Sequence, residues 1–172
     1  MSMSRRHFFI HRSVRKGKDF LKNKIILEVG CGSGEISTCI YQKNSIYLTS
    51  DINIKAVKHT QARGNFLAFH SDLLQNVNQD YLDVIIFNPP YLPSVEELND
   101  TIDLSYKGGK SGIDVIYRFI DSVTVKCFYL LVIQKNDPIK IINLIESKGY
   151  KVDILGNRRV LGEFIVVIKC NK

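Results

Sequence analysis

The chain has 172 residues, 45% hydrophobic and 24% charged, with a formal net charge of +7. That length suits one domain able to bury most of its apolar surface. No apolar run reaches the ~18 residues a transmembrane helix needs, and Phe8-Phe9-Ile10 is too short for a signal-peptide core, so a cytoplasmic protein without membrane attachment is expected.

The charge is unevenly placed. Residues 1–24 hold eight Lys or Arg against one acid, Asp19, and residues 25–172 hold 16 of each sign. The chain therefore divides into a basic N-terminal segment, 1–24, and a neutral domain, 25–172. Such a segment attracts nucleic acid or an acidic partner, or is simply solvated. Cys31, Cys39, Cys127 and Cys170 form no Cys-x-x-Cys pair, and His7, His11, His59 and His70 lack companions at ligand spacing. Neither a disulfide framework nor a metal site is expected.

In chain order, "KIILEVG" (24–30) is a short apolar run closed by glycine, which predicts a buried strand. "EISTCIYQK" (35–43) places Ile36, Cys39, Ile40 and Lys43 at helical spacing. "SIYLTSD" (45–51) is a strand ending in an acid, "NIKAVKHTQARG" (53–64) a helix, "NFLAFH" (65–70) a short strand and "YLDVIIF" (81–87) a strong one. "GIDVIYRFIDSV" (112–123) is helical, with Ile113, Ile116, Tyr117 and Ile120 on one face. "CFYLLVI" (127–133) is a strand, and "DPIKIINLIESKG" (137–149) a helix with Asp137 as N-cap, Pro138 at its first position and Gly149 past its end. "YKVDILG" and "EFIVVIKC" follow without a helix between them, so they should pair as a hairpin. Strand–helix alternation predicts an α/β protein with a doubly wound, mostly parallel sheet ending in that antiparallel pair. The longest irregular stretch is 92–111, a length uncommon unless functional.

The first strand runs into "LEVGCGSGE", with Gly30, Gly32 and Gly34. Glycines there let the backbone turn sharply and bring its N–H groups close to a ligand. The dinucleotide fingerprint would need a small residue where Glu35 stands, so the spacing is GxGxG. By itself such a trio can also be a tight turn. Here it follows a strand, precedes a helix, and is followed by Asp51 at the end of the second strand, placed to accept both hydroxyls of a ribose. Glu28, just inside the loop, can hold an ammonium group, and Asp72, after the third strand, can take an exocyclic amine such as adenine's. Each acid alone also reads as a helix cap or surface charge. As an ordered set they point to an adenosyl ligand with an amino-acid tail. "GGKS" (108–111) is not a phosphate-binding loop: Leu104 stands where that motif needs glycine, and no strand precedes it.

The fourth strand ends in "FNPPY" (87–91). Asn88 offers a side-chain oxygen as acceptor. Pro89 offers a carbonyl and no N–H, and Pro90 restricts residue 89 to an extended shape. Two fixed acceptors suit one planar –NH2 group, and Tyr91 adds an aromatic face on which it can stack. An amide or aromatic amine nitrogen is a poor nucleophile because its lone pair is delocalised. Gripping both hydrogens turns that lone pair toward an electrophile, such as a sulfonium methyl held in line. The motif alone leaves open whether the nitrogen is an amide or a base amine.

The chain resembles class I S-adenosylmethionine-dependent methyltransferases through "LEVGCGSG", "SDI", "SDLL" and "FNPPY", in that order. More narrowly it resembles the HemK-like protein-glutamine methyltransferases of the eukaryotic and archaeal branch, through "YKGGKSGIDVIYRFI" (106–120), "YLLVIQKNDPIKIINLIESKGY" (129–150) and "RRVLGEFIVVIK" (158–169). The resemblance spans residues 25–170 and implies a seven-stranded Rossmann-like sheet. It also implies the cofactor S-adenosylmethionine and methylation of the glutamine amide in the Gly-Gly-Gln loop of a translation release factor. Gly30, Gly32 and Gly34 would line the methionine part with Glu28 near its amino group. Asp51 and Ile52 would meet the ribose, and Asp72 and Leu73 the adenine. Asn88 would face both cofactor and substrate, with Pro89, Pro90 and Tyr91 on the substrate amide. Relatives carry a Tyr-x-Pro-x-x-Asp-Thr-type segment that helps cover the cofactor, and here "RKGKDFL", with Asp19, stands in its place.

The resemblance also implies a partner, a small zinc-binding activator subunit. "NFLAFH" would lie at a sheet edge with Phe66, Leu67 and Phe69 on its faces, so strand addition near 64–70 is expected. Two rival readings stand beside this one. An adenine-N6 or cytosine-N4 nucleic-acid methyltransferase would use the same turn, and the basic segment favours it. Glu96, Glu97, Asp100 and Asp103 beside the site oppose it, partly offset by Lys107 and Lys110. A non-catalytic cofactor-binding scaffold is the other, opposed by the intact Asn-Pro-Pro-Tyr.

Overall fold

The computed structural model describes residues 18–89, 113–160 and 163–172. Its seven strands are β1 (Ile25–Val29), β2 (Ile46–Asp51), β3 (Leu67–His70), β4 (Val84–Phe87), β5 (Cys127–Ile133), β6 (Lys151–Val160) and β7 (Glu163–Asn171). They form one sheet in the order β3-β2-β1-β4-β5-β7-β6. The first five run parallel, and β7 is antiparallel to both β5 and β6. The helices are α1 (Glu35–Ile40), α2 (Ile54–Gln61), α3 (Ile113–Ser122) and α4 (Pro138–Ser147).

Strands covered on both faces read as unbroken apolar runs, and β5 shows why. All seven of its residues are buried. Phe128, Leu130 and Val132 pack on the face that carries α3 and α4, while Cys127, Tyr129, Leu131 and Ile133 pack on the face that carries α1. On the first face Phe119 of α3 meets Phe87 at 4.7 Å and Phe128 at 5.6 Å between ring centroids, so the end of β4 rests on an aromatic pile. Leu21, in a short 3-10 turn before β1, is fully buried on the second face.

Three sequence expectations change in detail. The first helix stops at Ile40 instead of running to Lys43, because Tyr41 takes an extended conformation (φ −50°, ψ 135°). Tyr81 closes a 3-10 turn, so β4 begins at Val84, just after Asp83 has paired with Lys24 at 2.9 Å. On α3 the fully buried aromatic is Phe119, and Tyr117 is only half-buried.

Among the described residues no helix is long and apolar enough to cross a membrane. All four cysteines are free thiols. Among the described residues no group of three metal-ligating side chains converges.

Candidate active site

The sheet order places the singled-out residues in a row. Val29 pairs with Ser50 on one side and with Phe87 on the other, and Asp51 pairs with His70. One step on, at the C-terminal edge, the chain presents Asp72 after β3, Asp51 ending β2, Gly30 after β1 and Asn88 after β4. Four neighbouring strands at a spacing of ~4.8 Å give a row about 14 Å long. β1 sits between β2 and β4, where the winding reverses. That switch point is where open α/β sheets bind ligands.

The glycine loop is pinned from three sides. Cys31 N–H donates to the Ser50 carbonyl (2.9 Å) and Gly34 N–H to the Cys31 carbonyl (2.7 Å). Gly32 N–H donates to Asp51 Oδ2 (2.8 Å), and Thr60 Oγ1 of α2 donates to the Gly32 carbonyl (3.3 Å). Gly30, Gly32 and Gly34 all hold left-handed φ values, 67°, 50° and 70°. At Gly34 a Cβ would also stand 2.9 Å from Thr60 Cγ2, so α2 can approach the loop only over a glycine. Between these glycines Cys31 is buried, and burial pushes its thiol up to about 11. It stays protonated at neutral pH and is no nucleophile.

Asp51 is half-buried and bound through both oxygens. Oδ2 takes the Gly32 N–H, and Oδ1 the Asn53 N–H at 2.8 Å. Each oxygen keeps a second acceptor direction, which suits a pair of hydroxyls. The Ile52 carbonyl lies 2.9 Å from His70 Nε2, and Ser71 N–H donates to the Asp51 carbonyl at 3.1 Å, so the end of edge strand β3 holds the Asp51–Ile52 turn.

Glu28 lies beneath the loop, only 2% exposed. Its Oε2 accepts from the Ser37 backbone N–H (3.0 Å) and from the Ser37 hydroxyl. Burial, opposed by those hydrogen bonds and aided by the nearby Asp51 charge, pushes its carboxyl up to about 7. Asp72 Oδ2 is 2.6 Å from Arg118 Nη2 of α3. Leu73 follows it with a left-handed φ of 51°.

Asn88 is half-buried, and its Oδ1 is sealed from solvent without a hydrogen-bond partner among the described residues. A buried acceptor left unmade costs about 1–3 kcal/mol, so this oxygen fits an incoming N–H donor. Pro89 is buried beside it. Pro90, Tyr91 and the acids and lysines of 92–111 lie outside the described residues. His7, His11 and Asp19's side chain likewise lie outside them.

Ser37, Thr60 and Arg118 stand in no site motif of the sequence. A threonine three residues after Val57, on the buried stripe of α2, is a signal for Thr60. Nothing in spacing marks Arg118.

The row fits an adenosyl ligand with an amino-acid tail: two acids toward β3, a backbone cradle at β1 and an orphaned acceptor at β4. Comparison with known proteins agrees. The methyltransferase small domain model matches residues 11–103. A Methanocaldococcus jannaschii protein named as a protein N5-glutamine methyltransferase is 34% identical over 161 residues, covering 86% of this chain and 81% of the relative. Human methyltransferase HEMK2 is 29% identical over 167 residues, covering 87% of this chain and 78% of the relative. Among solved structures, the E. cuniculi Mtq2–Trm112 complex, described as responsible for methylation of the eRF1 translation termination factor, matches with a TM-score of 0.83. It is 34% identical and covers 100% of this chain and 98% of the matched one. The chain belongs to the methyltransferase small domain family, beside HEMK2 and Mtq2, and is an S-adenosylmethionine-dependent methyltransferase.

Proposed function

We propose that this chain methylates the glutamine side-chain amide in the Gly-Gly-Gln loop of a class I translation release factor, as the catalytic subunit of a heterodimer with a small zinc-binding activator. The observation that carries the reading is the Asn88 oxygen, buried at the end of β4 beside the glycine loop and without a hydrogen-bond partner among the described residues. The names of the relatives supply the acceptor: a protein N5-glutamine methyltransferase and an enzyme of eRF1 methylation.

When bound, S-adenosylmethionine supplies an electrophilic sulfonium methyl. The Gly30–Gly34 loop would line the methionine end, with Glu28 beneath it. Asp51 and Ile52 would hold the ribose, and Asp72 and Leu73 the adenine. Asn88 Oδ1 and the Pro89 carbonyl accept the two N–H bonds of the glutamine amide. That grip fixes the amide plane and exposes the nitrogen lone pair to the methyl. By the sequence motif, Pro90 would restrict residue 89 to an extended shape and Tyr91 would offer the amide an aromatic face; both lie outside the described residues. Rate comes from position and from dipoles set in advance, without a strong base.

The activator adds a strand to β3. Among the described residues β3 is hydrogen-bonded to β2 alone, which leaves its other backbone edge open, and Leu67 on it is 62% exposed. Strand addition is a common way to complete such an edge. The test is labelled S-adenosylmethionine with release factor, RNA and DNA offered in parallel, with and without activator. Label in release factor, dependent on the activator, is expected. Label in nucleic acid alone contradicts the reading.

A further inference from the structure

The loop that carries Asp72 is not left to itself. Arg118, midway along α3, reaches it across 46 residues of sequence and sets one guanidinium nitrogen 2.6 Å from Asp72 Oδ2. The two are joined by no element of their own strand pairing. α3 is anchored by Phe119, the next residue, which is fully buried against Phe87 at the end of β4. The arginine is half exposed (side chain 51%) and its carboxylate less so (30%). It is therefore tethered at its base, and among the described residues its head group meets Asp72 alone. A carboxylate on an irregular loop has a rotatable terminal torsion, and a charge-assisted bond on one oxygen is a strong constraint on it.

We infer that Arg118 is a positioning residue for cofactor selection: it fixes Asp72 through Oδ2, so that Oδ1 is presented as the acceptor for the exocyclic amine of adenine. The inference rests on the reading of Asp72 as the adenine acceptor. It makes α3, the helix that buttresses the Asn88 strand, a determinant of which purine the site accepts. An acceptor fixed in place admits an amine and rejects a carbonyl, because two acceptors would face one another.

The test is binding, measured by calorimetry on the full chain with its proposed activator present. The probes are S-adenosylhomocysteine and S-inosylhomocysteine, in which a carbonyl replaces the amine. Wild type should prefer the adenosyl compound by roughly 10- to 100-fold, the range expected for one hydrogen bond to a charged group. Arg118→Ala should weaken adenosyl binding roughly tenfold and inosyl binding much less. Arg118→Lys should restore part of the preference. Turnover at saturating cofactor should stay within about twofold of wild type. Arg118→Gln, which keeps length but not charge, takes the place of Arg118→Ala if that variant does not fold. Wild-type preference in the arginine variants would overturn the inference, as would equal loss of both ligands. Asp72→Ala separates the two levels. If it keeps the preference, the reading of Asp72 fails. If it loses the preference and the arginine variants do not, Arg118 alone is wrongly assigned.

Discussion

Glu28 caps a helix that follows it by seven residues. Gly34, the N-cap of α1, has no side chain to offer, and the third helical N–H, on Ser37, goes to Glu28 Oε2 at 3.0 Å instead. That N–H is one of those an N-cap side chain ordinarily satisfies. The strand before the glycine loop thus closes the helix after it, and the loop is held at both ends by one residue.

This burial has a pH signature. Folding lifts the Glu28 carboxyl from 4.5 to about 7, chiefly by desolvation. Between those pH values the unfolded chain has lost its proton and the folded chain keeps it. Stability contributed here therefore falls as pH rises from 4.5 to 7, by an order of 3 kcal/mol in all. Glu28→Gln removes the titration and keeps an acceptor for Ser37. Melting temperatures from pH 4.5 to 8 should show wild type declining relative to the variant across that window. Parallel curves would mean that Glu28 is charged throughout.

Gly34→Ala should cost about 2 kcal/mol or more, since it combines a left-handed φ with the close approach of Thr60. The second contribution is separable. Thr60→Ser removes the Cγ2 that would lie 2.9 Å from the new Cβ. In denaturant titrations the double variant should recover part of the loss and never all of it, because φ remains strained. Full recovery would mean that the backbone shifts out of the left-handed region.

Leu67→Lys tests the partner edge. The side chain is 62% exposed, so the chain itself should fold as before. A charge there should abolish co-purification with the activator while circular dichroism is unchanged. Undiminished heterodimer would move the docking surface away from β3.

Much of this was legible because the pattern and the fold share a period. The apolar run predicts a strand over Cys127–Ile133, and β5 is found there. Its apolar run is continuous because both faces are covered. The glycine loop, Asp51 and Asn88 were legible as strand-terminal residues, and the strand order alone sets them in a row. What stayed hidden is tertiary. The pairing of Arg118 with Asp72 depends on where α3 lies across the sheet. The spacing sets Ile113, Ile116, Tyr117 and Ile120 on one ridge of α3 and leaves out Phe119, whose burial comes from the two rings it meets. The sequence places Glu28 just inside the loop, where a carboxylate can hold an ammonium group, and does not show its burial or its bonds to Ser37. Glu28 is covered because β1 turns it toward α1, the face on which Ser37 waits.

The most direct measurement is to locate the methyl group. The chain and its activator are incubated with S-adenosylmethionine and release factor, and the acceptor loop is sequenced by mass spectrometry. One added methyl is expected, on the side-chain nitrogen of the glutamine. That methyl should vanish when the glutamine is changed to alanine and fall on the order of a thousandfold in rate with Asn88→Ala. A methyl on any other residue, or undiminished methylation by the Asn88 variant, would contradict it.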